Sequence, residues 1–161
     1  KASPGGATLA MTMSASMRNT VAKILRLIVQ ARRVNVAVAI IVNARSQILL
    51  SKRAANTHQG GLWEFPGGKC DPEESFAEAL KREIDEELGL EVLASQPIME
   101  IAHDYGDKQV LLGGRRVDRF LGEPRAREGQ PLRWVTREQL RSYEFPAANK
   151  PILEYLESSD S

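Results

Sequence analysis

Acidic residues are absent from the first 63 residues of this 161-residue chain, although nine lysines and arginines lie there. The remainder of the chain is correspondingly acidic, so the formal net charge is close to zero, at +1. A general nucleic-acid-binding domain is expected to be basic over its folded part. We therefore predict that the protein has no stable nucleic-acid partner.

Cysteine and histidine are also scarce. The single cysteine, Cys70, excludes an intramolecular disulfide and fits a reducing compartment, so we expect a cytoplasmic protein. Nothing near Cys70 in the sequence indicates an activated nucleophile. The two histidines, His58 and His103, are too few and too far apart to indicate a zinc site.

The chain also lacks a long apolar run. The most apolar part of residues 21–33 is far shorter than the ~20 residues that a membrane span needs. We expect no membrane partner, and we expect a monomer. With 161 residues, the chain is long enough for one domain with a full hydrophobic core.

Residues 1–33 are predicted to be an N-terminal extension. Residues 1–20 are small, polar and without a clear period, which predicts disorder, and residues 21–33 have the pattern of a short basic helix. Three methionines at positions 11, 13 and 17 are alternative starts. The acid-free leader also resembles an organelle transit peptide. We favour the alternative to a transit peptide: residues 1–33 result from a translation start placed too far upstream, or they form a cytosolic extension.

Residues 34–158 are predicted to form the folded domain, with a tail at 159–161. Apolar runs, turn signals and helical periods alternate along this part of the chain. The predicted strands are residues 34–43, 47–52, 62–65, 90–105, 109–120 and 132–135, and the shorter predicted helices are 136–142 and 146–156. Helices that alternate with strands indicate an α/β protein of the α+β type, with a mixed sheet covered by helices.

Residues 68–90, GKCDPEESFAEALKREIDEELGL, predict the main helix. Asp71 has the position of an N-cap, Pro72 that of the first helical residue, and Gly89 that of the C-terminal stop. Phe76, Leu80 and Ile84 recur at helical spacing and form a stripe that packs on a core. Glu74 is interpreted mainly as part of the cap.

Three further acids of this helix lie on or beside the apolar stripe. Glu83 and Glu87 fall on it by spacing, and Glu86 lies at its margin. The ordinary interpretation of such a run is a solvated acidic face, but that face would lie opposite the stripe. Carboxylates held together near apolar surface repel one another unless a cation joins them, which favours a Mg²⁺ or Mn²⁺ site. Arg82 is spaced to pair with Glu78 and Glu86 and so to orient the acids.

The same stretch matches every fixed position of the Nudix box, and the chain resembles the Nudix hydrolases, which cleave nucleoside diphosphates linked to another moiety. The pattern is Gly68-x5-Glu74-x7-Arg82-Glu83-Ile84-x-Glu86-Glu87-x-Gly89-Leu90. The resemblance implies a Nudix fold, a sheet between helices, and a divalent metal held by Glu83, Glu86, Glu87 and the main-chain carbonyl of Gly67. Arg82 counts among the catalytic residues.

Outside the box, residues 34–156 resemble the MutT-like branch of the family, which hydrolyses 8-oxo-dGTP to the monophosphate and pyrophosphate and so protects DNA from mutation. The matching segments are Lys52–Ala55, Glu64–Lys69, Arg127–Pro131 and Phe145–Asn149. The resemblance implies that Asn149 reads the purine edge and that Glu128 completes the metal site or shares the role of general base with Glu83. The other substrate-binding positions that it implies are Arg53, His58, Phe65 and Tyr105. For Asn149, a helix-capping role is the alternative.

Residues 113–116, Gly-Gly-Arg-Arg, depart from the aromatic strand of the MutT pattern. Two glycines weaken a strand and leave room on its face. Tyr105 and Lys108 also differ from the residues preferred near the purine. Another nucleotide substrate, such as CTP, another (d)NTP, ADP-ribose or a dinucleoside polyphosphate, therefore stays open. Two other functions also stay open: a non-catalytic module that binds oxidised guanine, and a nucleotide sensor. Such proteins do not need an intact Nudix box, whereas all of its fixed residues are present here.

Overall fold

The structure of the protein is a computed structural model that describes residues 13–31, 33–57 and 60–159. Contacts divide the chain into two compact units, Lys1–Arg33 and Val34–Ser161. The first contains helix α1 (Ala15–Ala31), and the second contains the sheets and the two remaining α-helices.

Helix α1 begins earlier than the sequence predicts. The sequence predicts the helix only for residues 21–33, whereas α1 includes residues 15–20 as well. Ser14 precedes its first residue: Ser14 Oγ accepts from Met17 N at 3.2 Å and the Ser14 carbonyl accepts from Arg18 N at 3.0 Å. Such a cap satisfies backbone N–H groups that have no partner within the helix. Residues 1–12 of the predicted disordered segment lie outside the described residues. In the described parts of the chain, no helix has the length and apolarity that crossing a membrane requires.

Two sheets form the centre of the second unit. The larger has the order β4-β1-β6-β5 and the smaller has the order β3-β2-β7. The strands are β1 (Arg33–Ile41), β2 (Ile48–Lys52), β3 (Trp63–Glu64), β4 (Gly67–Lys69), β5 (Glu91–Asp104), β6 (Gln109–Leu121) and β7 (Leu132–Val135). The predicted strands are thus observed, and β4 is an addition, since the glycine pair that the sequence presents as a loop pairs antiparallel with β1.

Strand β1 separates two hydrophobic cores. Its odd positions, including Ala39 and Ile41, pack in the core beneath helix α2 (Phe76–Leu88), and its even positions, including Val38 and Ile40, pack in the core of helix α3 (Lys150–Ser158). Successive side chains of a strand point to opposite faces, so burial on both faces requires a continuous apolar run. The predicted arrangement of a sheet between helices is confirmed.

Helix α2 begins later than the sequence predicts. The N-cap is Ser75, not Asp71: Ser75 Oγ accepts from Glu78 N at 3.1 Å, and the Glu78 carboxylate accepts from Ser75 N at 3.3 Å. Glu73 has a φ of 68°, a left-handed conformation that cannot belong to the first turn of a right-handed helix. The Asp-Pro-Glu-Glu segment is therefore a turn before the helix. The predicted stop at Gly89 is confirmed, with a φ of 69° and its N–H bonded to Asp85 O.

The glycines at 113 and 114 serve packing on both faces of β6. A β-carbon built on Gly113 would lie 2.4 Å from the Phe76 ring, so the room on this face is filled by α2. Gly114 faces the other way, towards Met99 and Ile152. Arg115 donates to Ser95 at 2.8 Å, from Nε to Oγ. The two glycines and Arg115 thus have contacts of their own within the fold.

The end of the chain contains shorter elements. Residues Glu138–Ser142 and Ala147–Asn149 are 3₁₀ turns, and α3 follows the second of them directly. The first turn was predicted to begin at Thr136, but it begins at Glu138 and its N-cap is Arg137. Thr136 Oγ nevertheless accepts from Gln139 N at 3.3 Å. The predicted final helix at 146–156 is therefore a 3₁₀ turn continued by an α-helix to Ser158.

Candidate active site

Strand β4 lies directly against α2 at the position of Glu83. A β-carbon built on Gly68 would lie 2.4 Å from both Cδ and Oε2 of Glu83. On the neighbouring residue, a β-carbon of Gly67 would meet the Ala37 carbonyl oxygen at 2.0 Å. The Gly-Gly pair therefore provides the close approach between backbone and carboxylate that the site needs.

Arg82 holds several acids of the box together. Its guanidinium donates to both carboxylate oxygens of Glu74 at 2.8 Å and to Glu83 Oε1 at 2.8 Å. Its contact with Glu86 Oε2 is longer, at 3.4 Å, and it also bonds the Lys69 carbonyl at 3.0 Å. The predicted pairing with Glu86 is observed, whereas Glu78 forms the capping box instead. Arg82 thus holds Glu83 next to β4.

Glu74 was predicted to act mainly in the helix cap, but its side chain also binds Arg82. Its side chain is 14% exposed and receives the Arg82 fork, and its Oε1 accepts from Asp71 N at 2.8 Å. These hydrogen bonds, with those from Arg82 first, lower the pKa of Glu74 to about 2. Glu74 therefore stays ionised and fixes Arg82 from the side opposite to Glu83.

A cavity of about 310 Å³ contains three carboxylates: Glu64, Glu87 and Glu128. Burial, and after it the charges of Glu128, Glu83 and Glu64, raise the pKa of Glu87 to about 8, although a hydrogen bond from the Gly67 backbone N–H opposes them. Removal from water is the larger cause of this shift, and the three neighbouring carboxylates add to it. These acids therefore have the chemistry of a divalent-cation site.

The acids do not converge as a preformed metal cage within the described parts of the chain. Glu86 points outward, with a side chain 59% exposed, and Glu128 lies on an exposed loop. The oxygen-only donor set still fits a hard divalent ion, which takes carboxylates and keeps several of its own waters.

A second cavity, of about 300 Å³, adjoins the first and shares Arg53 and Glu64 with it. Arg53 Nη1 lies 2.6 Å from Glu64 Oε2, and both side chains are about one third exposed. Burial raises the pKa of Glu64, although Arg53 opposes this. The ion pair forms the boundary between an acidic cavity and a more apolar one.

The apolar cavity brings together most of the predicted substrate-binding residues. Phe65 is buried in its wall and stacks on Phe145, with ring centroids 5.2 Å apart. Tyr105 lines it and packs edge-on against His103 at 4.4 Å. Asn149 lines it, is 9% exposed, and makes no side-chain cap bond although it precedes α3. The capping alternative for Asn149 therefore has no hydrogen bond to support it.

The set of residues that line the two cavities differs from the predicted set of site residues. His58 lies outside the described residues. Glu64 and Lys108 line the cavities but were not assigned a role from the sequence. The sequence contains a feature that could have identified Glu64 as a site residue. It lies between Trp63 and Phe65 on a predicted strand, where a charged side chain is unusual without a partner. Cys70 is a bystander as expected, since burial raises the pKa of its thiol and so disfavours the reactive thiolate.

Comparison with known proteins agrees with this geometry. A NUDIX domain family model matches residues 37–155. The 8-oxo-dGTP diphosphatase of Escherichia coli K12 is 34% identical over 122 residues, which are 76% of this chain and 95% of that protein. The CTP pyrophosphohydrolase of the same organism is 38% identical over 117 residues, 73% of this chain and 87% of that protein.

Solved structures give the same result. A MutT chain from a study of the fish pathogen Aliivibrio salmonicida and of Vibrio cholerae superposes with a TM-score of 0.71 at 35% identity. The match covers 78% of this chain and 98% of that one. Hydrolases of this kind generally require a divalent metal ion. From its box, its fold and its relatives, the chain belongs to the Nudix hydrolase family.

Proposed function

We propose that the protein is a Mg²⁺-dependent nucleoside triphosphate pyrophosphohydrolase of the MutT type. Its substrate is 8-oxo-dGTP, and its products are 8-oxo-dGMP and pyrophosphate. The observation that carries the proposal is the position of Asn149, which lines an apolar cavity that shares the Arg53–Glu64 ion pair with the acidic one. Relatives named 8-oxo-dGTP diphosphatase support it.

The triphosphate fits the acidic cavity and the nucleoside fits the apolar one. Arg53, in the wall common to both, is placed to bind the sugar or the base edge while Glu64 holds its guanidinium in one orientation. Glu83, Glu86, Glu87, Glu128 and the Gly67 carbonyl are the proposed metal ligands. A divalent ion bound there would neutralise phosphate charge and make water a stronger nucleophile.

The base that takes the proton from the attacking water is Glu83 or Glu128. Arg82 holds Glu83 at 2.8 Å, and Glu128 lines the acidic cavity together with Glu87. A general base must come within hydrogen-bond reach of the water it deprotonates. Attack at the β-phosphorus then releases pyrophosphate and leaves the nucleoside monophosphate.

Asn149 is proposed to distinguish oxidised from normal guanine. An amide offers one donor group and one acceptor, and 8-oxoguanine presents an N–H where guanine presents the N7 acceptor. The normal base would leave a polar group unpaired in a site that is 9% exposed at Asn149, which costs about 1–3 kcal/mol. Phe65 and Tyr105 provide apolar and aromatic surface for the purine ring.

CTP is the second candidate substrate. The relative named CTP pyrophosphohydrolase is 38% identical over 117 residues, and Lys108 in the nucleoside cavity is a cation that suits the carbonyl acceptor of a pyrimidine as well as that of a purine. A cavity of about 300 Å³ has room for either base. Both candidates use the same metal site and differ in what Asn149 and Lys108 bind.

The test is Mg²⁺-dependent pyrophosphate release from 8-oxo-dGTP, dGTP, CTP, dCTP, ADP-ribose and diadenosine polyphosphates, compared by kcat/KM. We expect a preference for 8-oxo-dGTP over dGTP of about 10- to 100-fold, from the one polar group that the normal base leaves unpaired. A higher kcat/KM for CTP would replace the purine proposal and keep the metal site. The same assay with Mn²⁺ compares the two ions.

Glu86→Gln separates an enzyme from a nucleotide sensor. For the enzyme, turnover falls while binding of 8-oxo-dGMP in the apolar cavity is retained, because Glu86 does not line that cavity. Glu91→Gln, an exposed acid on β5, is the matched control. Binding of the nucleotide by the unsubstituted protein without any turnover would support the sensor instead.

A further inference from the structure

The loop that carries Glu128 folds back onto the C-terminus of α2. Arg125 N donates to Leu88 O at 2.9 Å. Arg127 N is shared between Arg125 O within the loop at 2.9 Å and Glu87 O of the helix at 3.3 Å. The last carbonyls of a helix have no partner within the helix, so other groups must satisfy them. Here the loop between β6 and β7 does so, and it thereby docks on the helix that carries the box acids.

Arg127 adds a side-chain contact to this docking. Its Nη1 donates to Asp85 O at 2.9 Å, the same carbonyl that accepts from Gly89 N. A β-carbon built on Gly89 would lie 3.0–3.3 Å from Nη2, Nε and Cζ of Arg127, so the guanidinium covers the glycine that ends the helix. One residue of the loop thus binds two carbonyls of the last turn of α2, one through its backbone and one through its side chain.

The charge of Arg127 also suits this position. The last turn of α2 contains no basic residue and includes Asp85, Glu86 and Glu87. The C-terminus of a helix carries a partial negative charge that a cation stabilises. Arg127 supplies that cation from a distant part of the chain, 42 residues after Asp85.

Arg127 does not line either cavity, whereas the next residue, Glu128, lines the acidic one together with Glu87. Beyond Glu128 the chain turns at Gly129, whose N–H bonds Ala126 O at 2.9 Å, and Gln130 accepts from Glu128 N at 3.0 Å. Glu128 therefore lies between a contact to α2 on one side and a closed turn on the other.

From these contacts we infer that Arg127 is a positioning residue: it fixes the Glu128 loop to the end of α2 and so sets the place of the Glu128 carboxylate relative to Glu87. This inference rests on the proposed role of Glu128 in metal binding or proton transfer. Arg127 acts through Glu128 and touches neither substrate nor metal. Residues that orient ligands in this way contribute about 10- to 100-fold to metal affinity or activity.

The experiment compares Arg127→Met with Arg125→Met in the full chain. Arg125 lies in the same loop and makes a backbone bond to α2, but no side-chain hydrogen bond of Arg125 occurs within the described parts of the chain, so it is the matched control. Two readouts are used: Mn²⁺ binding to the metal-stripped protein, followed by electron paramagnetic resonance, and kcat separately from KM for the nucleotide that is turned over best.

For Arg127→Met we expect Mn²⁺ affinity and kcat to fall by about 10- to 100-fold with KM little changed, and Arg125→Met to behave as the unsubstituted protein. Arg127→Lys keeps one donor for Asp85 O and is expected to recover part of the loss. If Arg127→Met fails to fold, Arg127→Lys against Arg125→Lys makes the same comparison. Equal behaviour of the 127 and 125 variants would overturn the inference.

The double variant Glu128→Gln/Arg127→Met identifies the route of the effect. If Arg127 acts through Glu128, its removal has little further effect once Glu128 is gone, whereas independent effects multiply. Multiplying effects would overturn the inference alone. A fully active Glu128→Gln would overturn the role of Glu128 and the inference with it. Failure of 8-oxo-dGTP as substrate would leave the inference standing, because Mn²⁺ binding and any other substrate serve equally.

Discussion

The Gly68 backbone lies so close to the Glu83 carboxylate that a β-carbon on Gly68 would come within 2.4 Å of Glu83 Cδ and Oε2. Glu83 cannot simply move away, because Arg82 holds its other oxygen at 2.8 Å and is itself held by Glu74. The glycine and the glutamate are therefore one unit of the site, although they belong to a strand and a helix.

Gly68→Ala is predicted to displace Glu83 and lower kcat by about 10- to 100-fold, as expected for the loss of a correctly oriented ligand. Steady-state kinetics with Mg²⁺ measures the effect. Gly114→Ala is the control, since its β-carbon would make ordinary contacts, the nearest at 3.5 Å. Equal kinetics for the two variants would mean that Glu83 does not depend on its approach to β4.

The raised pKa of Glu87 predicts that the metal-free protein loses stability as the pH rises. Between the ordinary value of 4.5 and about 8, the folded protein keeps a proton on Glu87 that the unfolded chain has released. The free energy of unfolding therefore falls across this window, by about 1–3 kcal/mol once screening is considered. Tm measured in a chelator from pH 5 to pH 8 is the test.

Glu87→Gln is expected to flatten this part of the stability profile, because an amide does not titrate. Glu91→Gln, at an exposed position, is expected to leave the slope unchanged. Added Mg²⁺ should raise Tm most at pH 8, where the acidic cavity carries the most charge. If Glu87→Gln and the unsubstituted protein show the same slope in chelator, the acidic cavity is not the source.

Asn149→Ala is predicted to reduce discrimination between 8-oxo-dGTP and dGTP with a smaller effect on kcat for dGTP. The loss of a paired donor and acceptor in a buried site is worth about 1–3 kcal/mol per group, or at least tenfold in the ratio of kcat/KM values. Asn149→Asp serves as the control, since it keeps the shape and an acceptor but removes the donor. An unchanged ratio in both variants would exclude Asn149 as the base-reading residue.

Gly113→Ala is predicted to destabilise the protein by about 1–3 kcal/mol, because its β-carbon would lie 2.4 Å from the Phe76 ring. Chemical denaturation measures this directly. Phe76→Leu should partly recover the loss in the double variant, since a smaller side chain leaves room for the methyl group. Additive losses in the double variant would show that the two positions do not share this contact.

Most of the fold was predictable because its signals are local. The apolar run of β1, the helical spacing of Phe76, Leu80 and Ile84, and the stop at Gly89 depend on periods and preferences that act within one element. The predicted start of α2 was wrong because two sets of capping residues follow one another, at Asp71 and at Ser75. Local preference allows both, and the left-handed Glu73 excludes the first.

By itself, the sequence determined the family, the box helix and the acids that it carries, because a motif at a set spacing on one helix needs no distant contact to be recognised. Only the tertiary structure decided which distant residues join them. The Arg53–Glu64 pair, the contact of Gly68 with Glu83, and the docking of Arg127 on Asp85 each join separate elements. Such contacts depend on how strands and helices pack, and no period or preference within one segment encodes them.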